Sequence, residues 1–213
     1  MSRLPQDSWQ QAWQAAASLA VEALQQADPA ERCACGGAVW EPGQRVAEIL
    51  FLNRRHRIQL PAFAVTVEGQ PVSIRERILL LHYLQKTSGR TPRGEWITFA
   101  QVPGGELYQG NFRARSADRL VRAFAGREGE LEEAGRAVGS TPAGLGDASV
   151  LVHALPRVPV AVVLWRGDEE FAPTGNLLFD ATVVDHLSAE DMVVLAEMLA
   201  SCLCRAVPQV SVS

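Results

Sequence analysis

The chain is almost without lysine: every basic residue except Lys86 is an arginine. A GC-rich coding preference accounts for that, so no function is read from it. No window approaches 18 uncharged apolar residues, so no membrane-spanning helix is expected. The first residues, MSRLPQDSWQQAW, lack the apolar core of a secretory signal, and a cytoplasmic location is the expectation. The chain has no P-loop, no G-x-G-x-x-G, no G-x-S-x-G and no H-E-x-x-H, which removes the commonest nucleotide, hydrolase and zinc-protease readings. Internal repeats and low-complexity segments are missing too. A strong positive charge is also absent: the net charge is −4. The first 127 residues hold 16 Arg/Lys against 11 Asp/Glu, and the remainder 4 against 13. Nucleic acid is therefore not an expected partner.

What remains is an ordinary globular composition, 47% apolar and 21% charged over 213 residues. It predicts one domain over 1–213, with a helix at 8–26 as a candidate appendage and a frayed tail from Pro208. The organising stretch is Pro156–Asp180. Val158–Leu164 is a continuous valine-rich run, long enough for a strand buried on both faces. Val160 and Val162 are expected on one side, with Val163 and Trp165 on the other or at its edge. The run ends in Trp165 and gives way to Arg166-Gly167-Asp168-Glu169-Glu170. The RGD within it is read as coincidence. A turn follows, and Leu177–Phe179 forms a second apolar segment ending in Asp180.

Ser8–Gln26 has a capping-box start at Ser8/Gln11 and an apolar face of Trp9, Trp13, Ala16, Ala20 and Leu24. Asp28-Pro29 ends that helix, and Glu31–Gly43 reads as a loop carrying CACGG. Val46–Val67 alternates like a hairpin or three-stranded meander with a polar tip at Asn53–Arg55. Ser73, with Glu76 three residues later, opens a helix over 73–86 whose ILLLHYL run is central. Glu95–Ala100 is a short strand, and PGGELY is turn material. Two amphipathic helices follow at Ser116–Ala125 and Glu128–Val138, with Gly139 as the stop. Ala148–Leu155 pairs with the valine run. A last helix over 188–205 starts at Ser188 with Asp191 completing its cap. Together these predict an α+β fold, a largely antiparallel sheet with its buried central strand at 158–165, covered by helices.

Three groups of residues carry chemistry. The cysteines form two C-x-C pairs, Cys33/Cys35 and Cys202/Cys204. Four thiolates suit zinc or an iron–sulfur cluster, but helical neighbours two apart point about 200° from each other. No metal site is expected from them. His82 sits inside the apolar run 78–84 and needs a partner. It is either a core histidine bonded to a carbonyl or carboxylate, or a ligand or general base at an internal pocket. Asp168, Glu169, Glu170, Asp180, Asp185, Glu190 and Asp191 crowd the C-terminal half. Glu190 and Asp191 suit a helix N-terminus, and the others are a solvated face, partners for the arginines of the first half, or a cation or acid/base site. Asp168, Glu170 and Asp180, at strand ends, are the site candidates among them.

LLLHYL (Leu79–Leu84), GEWITFAQVPGGELY (Gly94–Tyr108) and PRVPVAVVLWRGDEEFAPTGNLLFD with its following HLSAED together resemble an uncharacterised bacterial and archaeal family, domain of unknown function 3786. The resemblance covers roughly Gly36–Leu203. It implies recurring positions at His82, Tyr83, Trp96, Gly104, Gly105, Tyr108, Asp168, Glu169, Glu170, Phe171, Phe179 and Asp180. Members occur in anaerobes, and some are labelled Fe–S-cluster proteins for an attached cysteine-rich domain. This chain lacks that four-cysteine motif, and CACGG does not replace it by spacing. Three functions follow as expectations. The first is a small-molecule-binding accessory domain of anaerobic cofactor metabolism. Its ligand would be a tetrapyrrole or corrinoid, with His82 as axial ligand and Trp96, Tyr108 and Trp165 lining a flat pocket shared with the acidic segment or the Gly104–Gly105 turn. The second is a metal-dependent enzyme using Asp168, Glu170 and Asp180. The third is a structural partner of a redox protein, with no ligand of its own.

Overall fold

The alternating stretch after Val46 forms the centre of one antiparallel sheet. A computed structural model describes residues 6–207, with side chains from Gln10 onward. The first helix begins before Ser8, which lies inside it and not at its cap. The expected Trp9 side-chain face and the tail from Pro208 lie outside the described residues. Strands β1 (Val39–Glu41), β2 (Val46–Phe51), β3 (Arg54–Gln59), β4 (Ala64–Val67) and β5 (Gln70–Pro71) follow in that order. The meander is present, with a short strand added at each edge. Its tip is tighter than expected, because Arg54 already pairs with Phe51. Leu52 and Asn53 make the turn at φ +46° and +62°, as a two-residue hairpin on a right-handed twist requires. The register sets Ile49 opposite His56 and Ala47 opposite Ile58. Strand alternation then carries Arg54, His56 and Ile58 onto the core-facing side.

Helix α1 (Gln6–Gln25) packs on α3 (Ile74–Lys86). Between them, α2 (Pro29–Gly36) stands where a loop was expected. Asp28-Pro29 ends one helix and starts the next: the Asp28 side chain accepts from the Ala30 amide, and Pro29 sits where a helix start loses nothing by lacking an N–H. Gly37, at φ +66°, closes α2. Arg32 then reaches across and donates to the Leu84, Gln85 and Thr87 carbonyls. These are the open acceptors at the end of α3. At the other end of α3, Ser73 accepts from the Glu76 amide as the sequence predicted, but the Glu76 side chain turns to His56 and does not complete the capping box.

The second sheet runs β6 (Trp96–Thr98), β10 (Thr174–Asp180), β9 (Val158–Trp165), β8 (Ala148–Leu155), β7 (Thr141–Pro142), all antiparallel. The valine run is the middle strand, buried at every position except Trp165. Val160 and Val162 join Val150, Val152, Leu177 and Phe179 in the main core, and Ala161 and Val163 point the other way. The fold is α+β with two sheets rather than one, and a single continuous core draws on both. They meet where the Leu52 amide donates to the Ala154 carbonyl.

In PGGELY only Pro103 and Gly104 form the expected turn, and Gly105 already starts α4 (Gly105–Arg115). Gly105 must be glycine, since a Cβ there would lie 2.2 Å from the Phe99 carbonyl oxygen. Helix α5 (Ala117–Phe124) is as expected. The Glu128–Val138 segment is one short helix, α6 (Leu131–Gly135), between two tight turns, with Leu131, Ala134 and Val138 buried as predicted. Helix α7 (Ala189–Ala206) has the predicted Ser188–Asp191 capping box, and its Leu187/Met192 pair is buried.

Candidate functional site

The β2–β3 turn, the first turn of α3 and the second half of α7 enclose a cleft of about 280 Å³. Its walls carry Arg54 and His56, then Ser73, Arg75 and Glu76, then Glu197, Ser201, Cys202 and Arg205. His56 is 1% exposed. Its Nδ1 lies 2.9 Å from the Arg54 carbonyl, which can only accept, so Nδ1 carries a proton. Its Nε2 lies 2.8 Å from Glu76 Oε1, a contact that needs one further proton between the two groups. Arg75 forms a forked pair with Glu197, at 3.0 and 2.7 Å, and Arg115 reaches the same carboxylate at 3.4 Å. The Arg75 hydrogen bonds hold Glu197 below the usual carboxylate range despite partial burial. Arg205 donates to the Cys202 sulfur at 3.3 Å. None of these residues was chosen from sequence. The usable signal was strand parity, which places Arg54 and His56 opposite Phe51 and Ile49.

His82 finds its partner elsewhere. Its Nδ1 donates to Asp191 Oδ1 at 2.8 Å, and Asp191 Oδ2 accepts from the Ser188 hydroxyl at 2.6 Å. The bonded carboxylate raises the His82 pKa, against partial burial. Asp191 thus caps α7 and orients the imidazole at once, where the sequence reading gave it the helix terminus alone. Tyr108, one turn into α4, donates to the neighbouring Glu190. His82 and Tyr108 therefore approach the same end of α7, held by its first two acidic residues, and not by Asp168 or a glycine turn. His82 does not line the 280 Å³ cleft.

Tyr83 is wholly buried. Its hydroxyl donates to the Gly36 carbonyl at 2.8 Å and accepts from the Arg157 amide at 3.2 Å, tying α2 and α3 to the β8–β9 turn. Burial pushes its pKa up. Beside it, His186 is completely buried, with Nδ1 2.8 Å from the Thr87 hydroxyl. Burial lowers its pKa.

The remaining predicted residues do not converge. Asp180 is 1% exposed and saturated: Oδ1 accepts from the Thr182 amide and hydroxyl, and Oδ2 from the Arg93 and Gly94 amides. Asp168 accepts from the Glu170 and Phe171 amides within its own loop, which lowers its pKa. Glu170 is exposed in that loop, which forms an open hollow with Glu128 and Arg166. The loop adjoins the Thr174 end of β10 and Asp180 is the other end, about 20 Å away at the rise of a strand. Trp165 pairs with Thr174 and Trp96 with Asp180, so the two tryptophans are separated by the same length. Tyr108 lies on α4, packed against α7. No flat aromatic slot is assembled from the three. Gly104, at φ +76°, caps α4, and Gly105 permits its contact with Phe99.

The cysteines also separate. Cys202 faces Arg205, whereas Cys204 donates to the Arg119 carbonyl at 3.9 Å. Cys33 is buried, and burial raises its pKa to about 11. Cys35 lies against Gly89. Among the described residues no group of three or more His, Cys, Asp or Glu is placed to hold a metal ion. No described helix is long and apolar enough to cross a membrane.

A family model described as Domain of unknown function (DUF3786) matches residues 28–201, so the chain belongs to that family. The match runs from the Asp28 cap of α2 to Ser201 of α7 and leaves Cys202 and Arg205 just outside it. No curated protein and no solved structure matches the chain.

Proposed function

We propose that this DUF3786 chain is a small-molecule-binding domain whose site is the cleft between the β2–β3 turn, the start of α3 and the second half of α7. One observation carries this: ionisable side chains from three separated stretches converge on a single concavity of about 280 Å³. Pockets for drug-sized ligands usually run to about 300–1,000 Å³. The cleft therefore suits a small metabolite, and a tetrapyrrole or corrinoid is too large for it. The carboxylate-enzyme reading has less support, because Asp180 is saturated and stands a strand's length from Asp168 and Glu170.

The test is ligand retention. Wild-type protein and Met198→Trp, which fills the cleft from α7, are incubated with a metabolite extract, desalted and denatured for mass spectrometry. A compound carried by the wild type and lost from an equally stable Met198→Trp variant supports the site. Identical retention by both proteins refutes it.

A further inference from the structure

We infer that the cleft takes a small organic dianion, held between the guanidinium groups of Arg54 and Arg205. This rests on the cleft being the binding site. The argument is one of charge left over. Arg75 is neutralised by its forked pair with Glu197. His56 and Glu76 share one proton across 2.8 Å, so that pair is neutral on whichever partner the proton sits. What remains is Arg54 on one wall and Arg205 on another, two positive charges with no carboxylate of the cleft left to meet them. Glu68 lies 3.5 Å from Arg54, but both side chains are well exposed (52% and 79%) and water screens such a pair strongly. Arg205 spends one donor on the Cys202 thiol, a weak acceptor, and keeps the rest of its fork.

The geometry of the donors agrees with the charge. Guanidinium groups bind carboxylate and phosphate oxygens through two parallel N–H bonds, which a neutral ligand cannot match. Ser73 brings the N-terminal end of α3 to the same cavity, and the positive end of that helix favours an anion further. A monoanion would leave one guanidinium unanswered, whereas two charges on one metabolite-sized molecule neutralise both. Phosphate monoesters and short dicarboxylates share this chemistry.

Cys202 lines the cleft and supplies the readout. Alkylation of Cys202 by iodoacetamide is followed by peptide mass spectrometry with increasing inorganic phosphate, or with increasing succinate. Cys35, on α2 and outside the cleft, is the internal control. The expected result is that at least one of the two anions slows modification of Cys202 and not of Cys35. That protection should weaken as salt is added. Arg54→Ala and Arg205→Ala should each weaken it about tenfold or more, the size of a lost charged hydrogen bond, while the exposed control Arg122→Ala leaves it unchanged. Protection by phosphate alone identifies a phosphoryl ligand, and by succinate alone a dicarboxylate. If neither anion protects Cys202, or if both arginine variants protect as well as the wild type, the dianion assignment is overturned. A compound that Met198→Trp loses but Arg54→Ala and Arg205→Ala retain would also overturn it, and would leave the cleft standing as the site.

Discussion

Replacing Asp180 with asparagine should lower stability without changing ligand retention, because this carboxylate serves as a structural clamp. Its two oxygens accept four hydrogen bonds at 2.7 to 3.0 Å, three from backbone amides and one from a hydroxyl, in a site 1% exposed. Asparagine keeps one acceptor oxygen and turns an NH₂ group toward two donors. Two hydrogen bonds are lost and their donors stay buried, at about 1–3 kcal/mol each. Allowing for relaxation, the loss should be about 2–4 kcal/mol. In urea, with a slope of about 3 kcal/mol per molar, the midpoint should fall by about 1 M at unchanged slope. Acid adds a second check. Burial alone would raise the pKa of Asp180, but its hydrogen bonds outweigh that and hold it low. Its contribution is therefore present above the unfolded carboxylate range and lost as pH falls through the lower folded value. The gap between wild type and variant should narrow there. An unchanged urea midpoint at neutral pH would refute the clamp.

Two further outcomes follow from the packing. Gly105→Ala should cost about 1–3 kcal/mol, an overpacking penalty, because its Cβ would meet the Phe99 carbonyl oxygen at 2.2 Å; a calorimetric midpoint equal to that of the wild type would contradict it. His82 and His186 should titrate in opposite directions from the ordinary value near 6.5. The Asp191 hydrogen bond raises His82, so its stabilisation is complete below that pH and lost as pH rises through the folded value. Burial lowers His186, so the unfolded chain takes up a proton first and stability falls as the pH drops below that range. Ring-proton NMR titration, assigned with His82→Gln, reads both, and the reverse order would contradict the structure.

The valine strand, α3 and α7 were legible because each carries its signal locally: a run of β-branched residues for the strand, a capping residue and an apolar face for the helices. Helix α2 was missed because Asp28-Pro29 serves as both stop and start, and only the stop was read. Helix α4 was missed for a different reason. Only Gly105 and Phe112 are fully buried along it, so it has no apolar stripe, and two adjacent glycines resemble a turn. The cleft was not legible at all. Its charged residues come from stretches near positions 54, 75 and 200, and on a helix an isolated arginine or glutamate looks the same whether it faces water or a neighbour. The expected pairing of the crowded C-terminal acidic residues with first-half arginines held for Arg90–Asp185, while Arg75 and Arg115 meet Glu197, which lay outside the group singled out. It did not extend to Asp168, which is held by its own loop.

Those cross-chain pairs also explain why a cleft exists where it does. Helices α3 and α7 run antiparallel along one seam, fastened by His82–Asp191 near one end and Arg75–Glu197 at the other. Seven residues of α3 separate the two fastenings, about 10 Å of seam. Beyond Arg75 helix α3 stops almost at once, at Ile74, while α7 continues from Glu197 to Ala206, about 13 Å further. Helix α3 does not extend under that overhang, whose other flank rests on α5, where Cys204 meets the Arg119 carbonyl and Arg119 donates to Ser201. The β2–β3 turn fills part of the space, with its Asn53 side chain against Gly139, and the remaining gap is the cleft. Arg205 stands on the overhang and Arg54 just past the tip, so the two unanswered charges are placed by the mismatch in helix length. Ending the chain before Arg205 should therefore open that side of the cleft while the buried Leu199 and Leu203 and both fastenings stay in place, and a urea midpoint far below that of the wild type would contradict this.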